Sequence, residues 1–253
     1  RYEEVDGFQD ATGLDTGNRG IHTSLVVAPG DVIWVAYYDI GNKSLRYARR
    51  HTTLTGHDLQ AQGEWTVGVA DVGGGARPDA GQWASIALAP DGHPVIAHYD
   101  AAEQELRVTR WADDAWGNQV KIQGEEYTLG DTGGQSKPAD VGKFADLFIA
   151  ADGTEYIAYY DDAWSRLLLA VGGAEGFTQH VVDESADVGQ WPSLRVTDDG
   201  VVHIAYHDVE NQDLKYATGT PGSFVITTVD SGDYVGADTE IFMNGDQLSI
   251  LYF

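Results

Sequence analysis

Short apolar runs separated by glycine-containing turns fill almost the whole chain. The first pair reads "SLVVA" at 24–28 and "VIWVAYY" at 32–38, and a second reads "SIALA" at 85–89 and "PVIAHY" at 94–99. In these pairs both alternating sets of positions are apolar, which predicts strands buried on both faces of their sheet. The intervening turns are "APG", "PDG", "ADG" and "DDG" in successive copies. Each pair is followed by a short polar loop, a third run and a fourth that ends near "VD" or "GD". Four short strands joined by turns predict one antiparallel sheet per copy.

The copies repeat at fixed intervals. "NRGIHTSL", "DAGQWASI", "DVGKFADL", "DVGQWPSL" and "YVGADTEI" align on Gly20, Gly81, Gly142, Gly189 and Gly236, spaced 61, 61, 47 and 47 residues apart. Asp39, Asp100, Asp161 and Asp208 each stand 14 residues after the closing Leu or Ile of their motif. Leu45, Leu106, Leu167 and Leu214 each follow that aspartate by six. A four-stranded repeat of this size is that of a propeller blade. The extra residues of the first two units predict longer loops, notably "HTTLTGHDLQAQGE" and "GGGARPDAG" in the first.

The fifth copy supplies "TEIFM", "NGD" and "LSILYF" and reaches Phe253 where the next repeat aspartate is due. "YEEVDG" precedes the first glycine and reads as the outermost strand of a unit, with Asp6 placed like Asp183 and Asp230. The expectation is an all-β, five-bladed β-propeller forming a single domain, whose N-terminal strand closes the last blade. Its blades span approximately 20–72, 81–132, 142–184, 189–231 and 236–253 with 1–7. Closure of this kind removes exposed sheet edges. The third strand of the shared blade has no counterpart in the sequence.

The pattern "SLRVTDDGVVHIAYHDVENQDLKYA" at 193–217 resembles the blade repeats of secreted bacterial propellers grouped with sialidase-like repeats. The resemblance covers nearly the whole chain, although the aspartate box, Ser-x-Asp-x-Gly-x-Thr-Trp, is absent. Five-bladed architectures include invertebrate sugar-binding lectins and several glycosidase families, so the resemblance implies a scaffold and leaves its activity open.

Composition narrows the partners. The chain has 253 residues, a net charge of −25 and 42% hydrophobic residues, with seven Trp and thirteen Tyr. It is too apolar for disorder. Its negative charge repels a phosphate backbone or an anionic membrane surface, which excludes nucleic acid as a natural partner. No apolar run approaches the roughly 20 residues that span a bilayer. There is no cysteine, hence no disulfide or thiolate metal site. The start at Arg1 predicts a removed leader and a secreted or cell-surface protein.

In a propeller the first strand of each blade is innermost, so the motif glycine predicts the entry to that strand. Two residues later stand His22, Trp83, Phe144, Trp191 and Asp238; two further, on the same side by strand alternation, stand Ser24, Ser85, Asp146, Ser193 and Glu240. Flat aromatic faces suit sugar C–H groups, and hydroxyls and carboxylates suit sugar hydroxyls. The alternative use of the aromatics is to wedge neighbouring blades apart. For an enzyme, Asp146 and Glu240 are the candidate catalytic pair, since glycoside hydrolysis needs two carboxylates across a bond, with His22 as a further base. In the five-bladed glycosidases that the architecture resembles, the catalytic acids come from other blades and a third carboxylate helps, which this chain does not reproduce.

Asp39, Asp100, Asp161 and Asp208 predict turn caps that bond nearby backbone N–H groups. No metal ligand set and no cofactor is predicted, though oxygen-rich turns leave room for a structural calcium ion. Arg19, Arg77, Lys137 and Lys143 all precede or enter first strands and would suit an anionic ligand. Three functions remain open: a lectin-like module binding a small molecule or glycan as a monomer, a glycan hydrolase or lyase, and a structural or surface-interaction domain. The first is preferred, which leans against an enzyme.

Overall fold

Nearly every long apolar run is a strand in the computed structural model, which describes residues 5–6, 19–55, 58–124, 127–128, 136–137, 139–245 and 247–253. The first repeat forms one sheet of β1 (Arg19–Ala28), β2 (Val32–Asp39), β3 (Ser44–Thr55) and β4 (Asp58–Asp71). The second forms β5 (Ala80–Leu88), β6 (Pro94–Asp100), β7 (Glu105–Ala112) and β8 (Ala115–Ile122). A two-residue pair follows, β9 (Tyr127–Thr128) with β10 (Ser136–Lys137). The third repeat gives β11 (Val141–Ile149), β12 (Glu155–Asp161), β13 (Arg166–Gly173) and β14 (Gly176–Asp183). The fourth gives β15 (Val188–Val196), β16 (Val202–Asp208), β17 (Asp213–Thr220) and β18 (Ser223–Asp230). The fifth contributes β19 (Glu240–Asn244) paired with β20 (Gln247–Leu251). The protein is all-β, a five-bladed β-propeller, and among the described residues no helix is long and apolar enough to cross a membrane.

Contacts divide the chain into two compact units, residues 1–103 with 107–119 and residues 104–106 with 120–253. In unit 1, Trp34, Leu45, Ile86, Ile96 and Trp111 form the core. Trp34 meets Trp111 edge-on at 5.0 Å between ring centroids, and the Arg49 guanidinium lies over both rings. In unit 2, Leu167, Leu169, Leu194, Ile204 and Tyr206 form the corresponding core. As the double-sided apolar pattern predicts, every residue of β6 is buried, and so is every residue but one in β12 and β16.

The motif glycines pack blade on blade. A Cβ on Gly81 would lie 2.6 Å from Leu45 Cα, and those on Gly142, Gly189 and Gly236 would lie 2.7, 2.7 and 2.8 Å from Leu106, Leu167 and Leu214 Cα. The two recurring features of the sequence, glycine and leucine, are therefore one contact. Gly20 shares the positive φ but has open space where its Cβ would be.

The repeat aspartates cap turns as expected. Asn42, Ala102, Trp164 and Asn211 donate backbone N–H groups to Asp39, Asp100, Asp161 and Asp208 at 3.0–3.2 Å. The second oxygen of each faces a cation: Arg19 at 3.0 Å, Arg107 at 2.8 Å, Arg166 at 3.0 Å and Lys215 at 3.6 Å. Three cations of the third strands also reach an aspartate closing another segment, Arg46 to Asp6, Arg107 to Asp71 and Lys215 to Asp183. Asp6 thus occupies the place of Asp183, as its sequence position implies. Of residues 1–7, expected to close the last blade, only Val5 and Asp6 are described, and the rest of that strand lies outside the described residues. One expectation is corrected: the extra residues "HTTLTGHDLQAQGE" do not make a loop but lengthen the β3–β4 hairpin, with His51 paired to Gln62 and Thr55 to Asp58. Backbone groups already paired in a hairpin extend it more readily than they open it.

Candidate functional site

The first strands are not regular at their entries. His22, Trp83, Phe144, Trp191 and Asp238 have φ of 51°, 49°, 57°, 48° and 47°, the left-handed region that non-glycine residues rarely occupy. In β15 the pairing jumps from Gln190↔His207 to Ser193↔Ala205, so two residues oppose one; β5 and β11 show the same shift. This bulge interrupts the simple alternation by which the two predicted rings share one side, and it re-aims the aromatic side chain.

Each unit gathers its own part of the predicted set. In unit 1 His22 stacks on Trp83 at 5.1 Å, Trp83 packs on Tyr99 at 5.5 Å, and His22 also faces Tyr38. Burial pushes the His22 imidazole below its usual pKa and favours the neutral ring. In unit 2 an unbroken row runs from Tyr160 to Phe144, Trp191, His207 and Tyr234, with centroid separations of 6.2, 5.0, 5.7 and 5.6 Å. Phe144 and Trp191 are half-buried, and Tyr234 is 51% exposed. Asp238, exposed at the fifth entry, has no ring to add.

The predicted polar residues hold neighbouring strands. Ser24 Oγ accepts the Ile86 N–H at 3.1 Å in unit 1. In unit 2 Asp146 Oδ2 accepts the Leu194 N–H at 2.7 Å, and Ser193 Oγ accepts the Ile241 N–H at 2.9 Å. Each lies on a first strand and satisfies a backbone donor of the next one. Ser85 is buried in unit 1 at the same place in its repeat.

Arg195 links the candidate catalytic pair. Its Nη2 is 2.8 Å from Glu240 Oε1 and its Nη1 is 3.7 Å from Asp146 Oδ2, while Nη1 also donates to Leu194 O at 2.6 Å. All three side chains stay partly exposed, at 31%, 46% and 25% for Arg195, Glu240 and Asp146. Sequence reasoning missed Arg195, yet its position carries a signal. The equivalent places hold Val26, Ala87, Phe148 and Phe242, so one repeat alone places a charge there.

The aspartates before the motif glycines are architectural acceptors. Tyr38 donates to Asp79 at 2.5 Å in unit 1, and Tyr160 donates to Asp187 at 2.7 Å in unit 2. Of the basic residues expected to greet an anion, Arg19 is paired with Asp6 and Asp39, and Lys143 with Asp140 and Asp162. Arg77 is exposed, and the Lys137 side chain lies outside the described set. Among the described residues no group of three or more His, Asp or Glu is arranged to hold a metal ion. A groove of about 860 Å³ opens elsewhere in unit 2, by the β15–β16 turn, lined by Asp198, Asp199, His203, Tyr216 and Met243 among others.

No family model matches the chain, and no curated protein does. Solved structures do. An exo-β-1,3-galactanase from Phanerochaete chrysosporium, with β-1,3-galactotriose, is similar at a TM-score of 0.55 and 10% identity, over 96% of this chain and 58% of that one. A GH43 β-1,3-galactosidase with galactodeoxynojirimycin is similar at 0.51 and 10% identity, over 94% and 85%. A polysaccharide lyase is similar at 0.51 and 12% identity, over 89% and 62%. The chain therefore spans less than two thirds of the galactanase and of the lyase. At these identities the likeness is one of fold, and the shared fold is the propeller.

Proposed function

We propose that this propeller is carbohydrate-active and engages a glycan in unit 2, at the entry ends of β11, β15 and β19. The observation that carries the reading is the continuous row Phe144, Trp191, His207 and Tyr234, which occurs in the same unit as the Asp146, Arg195 and Glu240 cluster. Ring faces cover sugar C–H surfaces, and partly exposed charged groups orient hydroxyls. The solved neighbours, an exo-β-1,3-galactanase, a GH43 β-1,3-galactosidase and a polysaccharide lyase, favour glycan cleavage over binding alone. In that reading Glu240, the more exposed carboxylate, exchanges protons with the scissile oxygen or sugar carbon. Asp146 is held in place by the Leu194 N–H.

A second reading, binding without turnover, is favoured by Arg195. Its guanidinium lies against one oxygen of each carboxylate, Asp146 Oδ2 and Glu240 Oε1, and so engages the oxygens that a scissile bond would need. The kinship of the repeats with sialidase-like secreted propellers and a location outside the cytoplasm belong to the same proposal. To test it, the protein is incubated with β-1,3-galactan and with uronate-containing polysaccharides, following reducing ends and unsaturated products alongside binding. Product formation lost in Glu240→Gln supports cleavage. Binding without product supports the second reading, and neither binding nor product overturns both.

A further inference from the structure

The turn between β12 and β13 departs from its counterparts at one residue. Three positions after the repeat aspartate stand Asn42, Glu103, Trp164 and Asn211 in successive copies, exposed in all four. Asn42 and Asn211 set their side-chain amides on the second oxygen of Asp39 and Asp208, at 2.8 and 2.9 Å. In the third copy Arg166 Nε takes that oxygen of Asp161 at 3.0 Å, while the Trp164 backbone N–H keeps the capping bond at 3.2 Å. The cap is thus complete without the indole, and the ring remains 38% exposed.

The ring is braced, and its turn is tied to the strands that carry the aromatic row. The guanidinium of Arg166, itself buried, lies over the indole at 5.1 Å from the ring centroid, which holds the ring in place before any ligand arrives. Lys143, next to Phe144 in β11, reaches Asp162 of the turn at 3.1 Å. Val188, at the start of β15, donates its N–H to Ser165 O at 3.2 Å. The Ser165 hydroxyl also hydrogen-bonds the phenol of Tyr160, the first ring of the row. Trp164 therefore stands at the same end of unit 2 as Phe144 and Trp191.

We propose that Trp164 forms a further sugar subsite, which takes a neutral saccharide unit beyond those that Phe144 and Trp191 cover, so that the ligand is a chain of several sugars and not a single one. The inference rests on the glycan reading and extends its site along the ligand. An exposed indole covers the C–H surface of a sugar ring. Charge around it selects the unit. Asp162 lies in the same turn, and Glu184 lies 3.7 Å from the Arg166 guanidinium that braces the ring; both carboxylates are partly exposed. They accept sugar hydroxyls and repel a uronate carboxylate.

The test uses Trp164→Asn, which restores the residue of the first and fourth repeats, so its thermal melt should match the parent. Calorimetry titrates the β-1,3-linked galactose disaccharide and hexasaccharide into the chain, with Glu240→Gln as background to keep both sugars intact. The hexasaccharide should bind about tenfold more tightly than the disaccharide, the scale of one added ring contact. Trp164→Asn should erase that gain and leave disaccharide affinity unchanged, and Trp164→Phe should keep most of it. A gain that survives Trp164→Asn, an equal loss at both lengths, or a larger gain for a uronate hexasaccharide would overturn the proposal alone. Binding of neither sugar before Trp164 is changed would overturn the glycan reading, and this subsite with it.

Discussion

Gly189 stands so close to Leu167 that a methyl group on it would lie 2.7 Å from Leu167 Cα and 2.6 Å from Leu167 Cβ. Its φ of 106° is a second reason for glycine. Gly189→Ala meets both obstacles, the overlap with main chain and the backbone conformation, and should destabilise by about 3 kcal/mol or more. Gly20→Ala meets only the second and should cost about 1 kcal/mol. Urea denaturation of the two variants checks the difference. Equal losses would show that the leucine contact is not what selects the residue.

Ser193 is 1% exposed and its Oγ accepts the Ile241 N–H at 2.9 Å. Removing the hydroxyl leaves a buried backbone donor without its acceptor. Ser193→Ala should therefore lose about 1–3 kcal/mol. Hydrogen exchange at the Ile241 amide should accelerate by more than at Leu194, which donates to Asp146 instead.

Asp71 carries a pH dependence. Burial opposes its ionisation, but contact with His98, the Gly73 N–H and Arg107 prevail and hold its carboxyl at about 2. A depressed carboxylate stabilises the fold fully above the unfolded-state value of about 3.9, and that contribution disappears as pH falls through the folded value. The contribution at neutral pH is on the order of 2 kcal/mol. Asp71→Asn should be less stable at pH 7 and should lose less than the parent between roughly pH 4 and pH 2. Thermal melts across that range decide it; a parallel pair of curves would be the contrary result.

Trp191 touches Phe144 on one side and His207 on the other. Trp191→Ala should weaken glycan binding by about tenfold or more and lower stability by about 2 kcal/mol, less than a fully buried tryptophan because the ring is half-buried. Trp191→Gly should recover roughly 1 kcal/mol of that loss by relieving the φ of 48°. Calorimetric titration with oligosaccharide, paired with denaturation, separates the two roles. Unchanged oligosaccharide affinity in Trp191→Ala would remove this ring from the site.

Periodicity alone determined that this chain is built of repeated four-stranded units, because alternation, turn residues and repeat spacing are local properties of the chain. The same holds for Asp39, Asp100, Asp161 and Asp208, whose capping bonds reach only two or three residues along the sequence. Asp6 was also legible, from its likeness to Asp183. What only the tertiary structure decided are relations across strands and blades. The glycine and leucine of the repeat are one contact, the bulge at Trp191 breaks the expected alternation, and Arg195 reaches Glu240 across 45 residues. A repeat shows that positions are equivalent; it carries no register or side-chain direction, which emerge only when sheets pack.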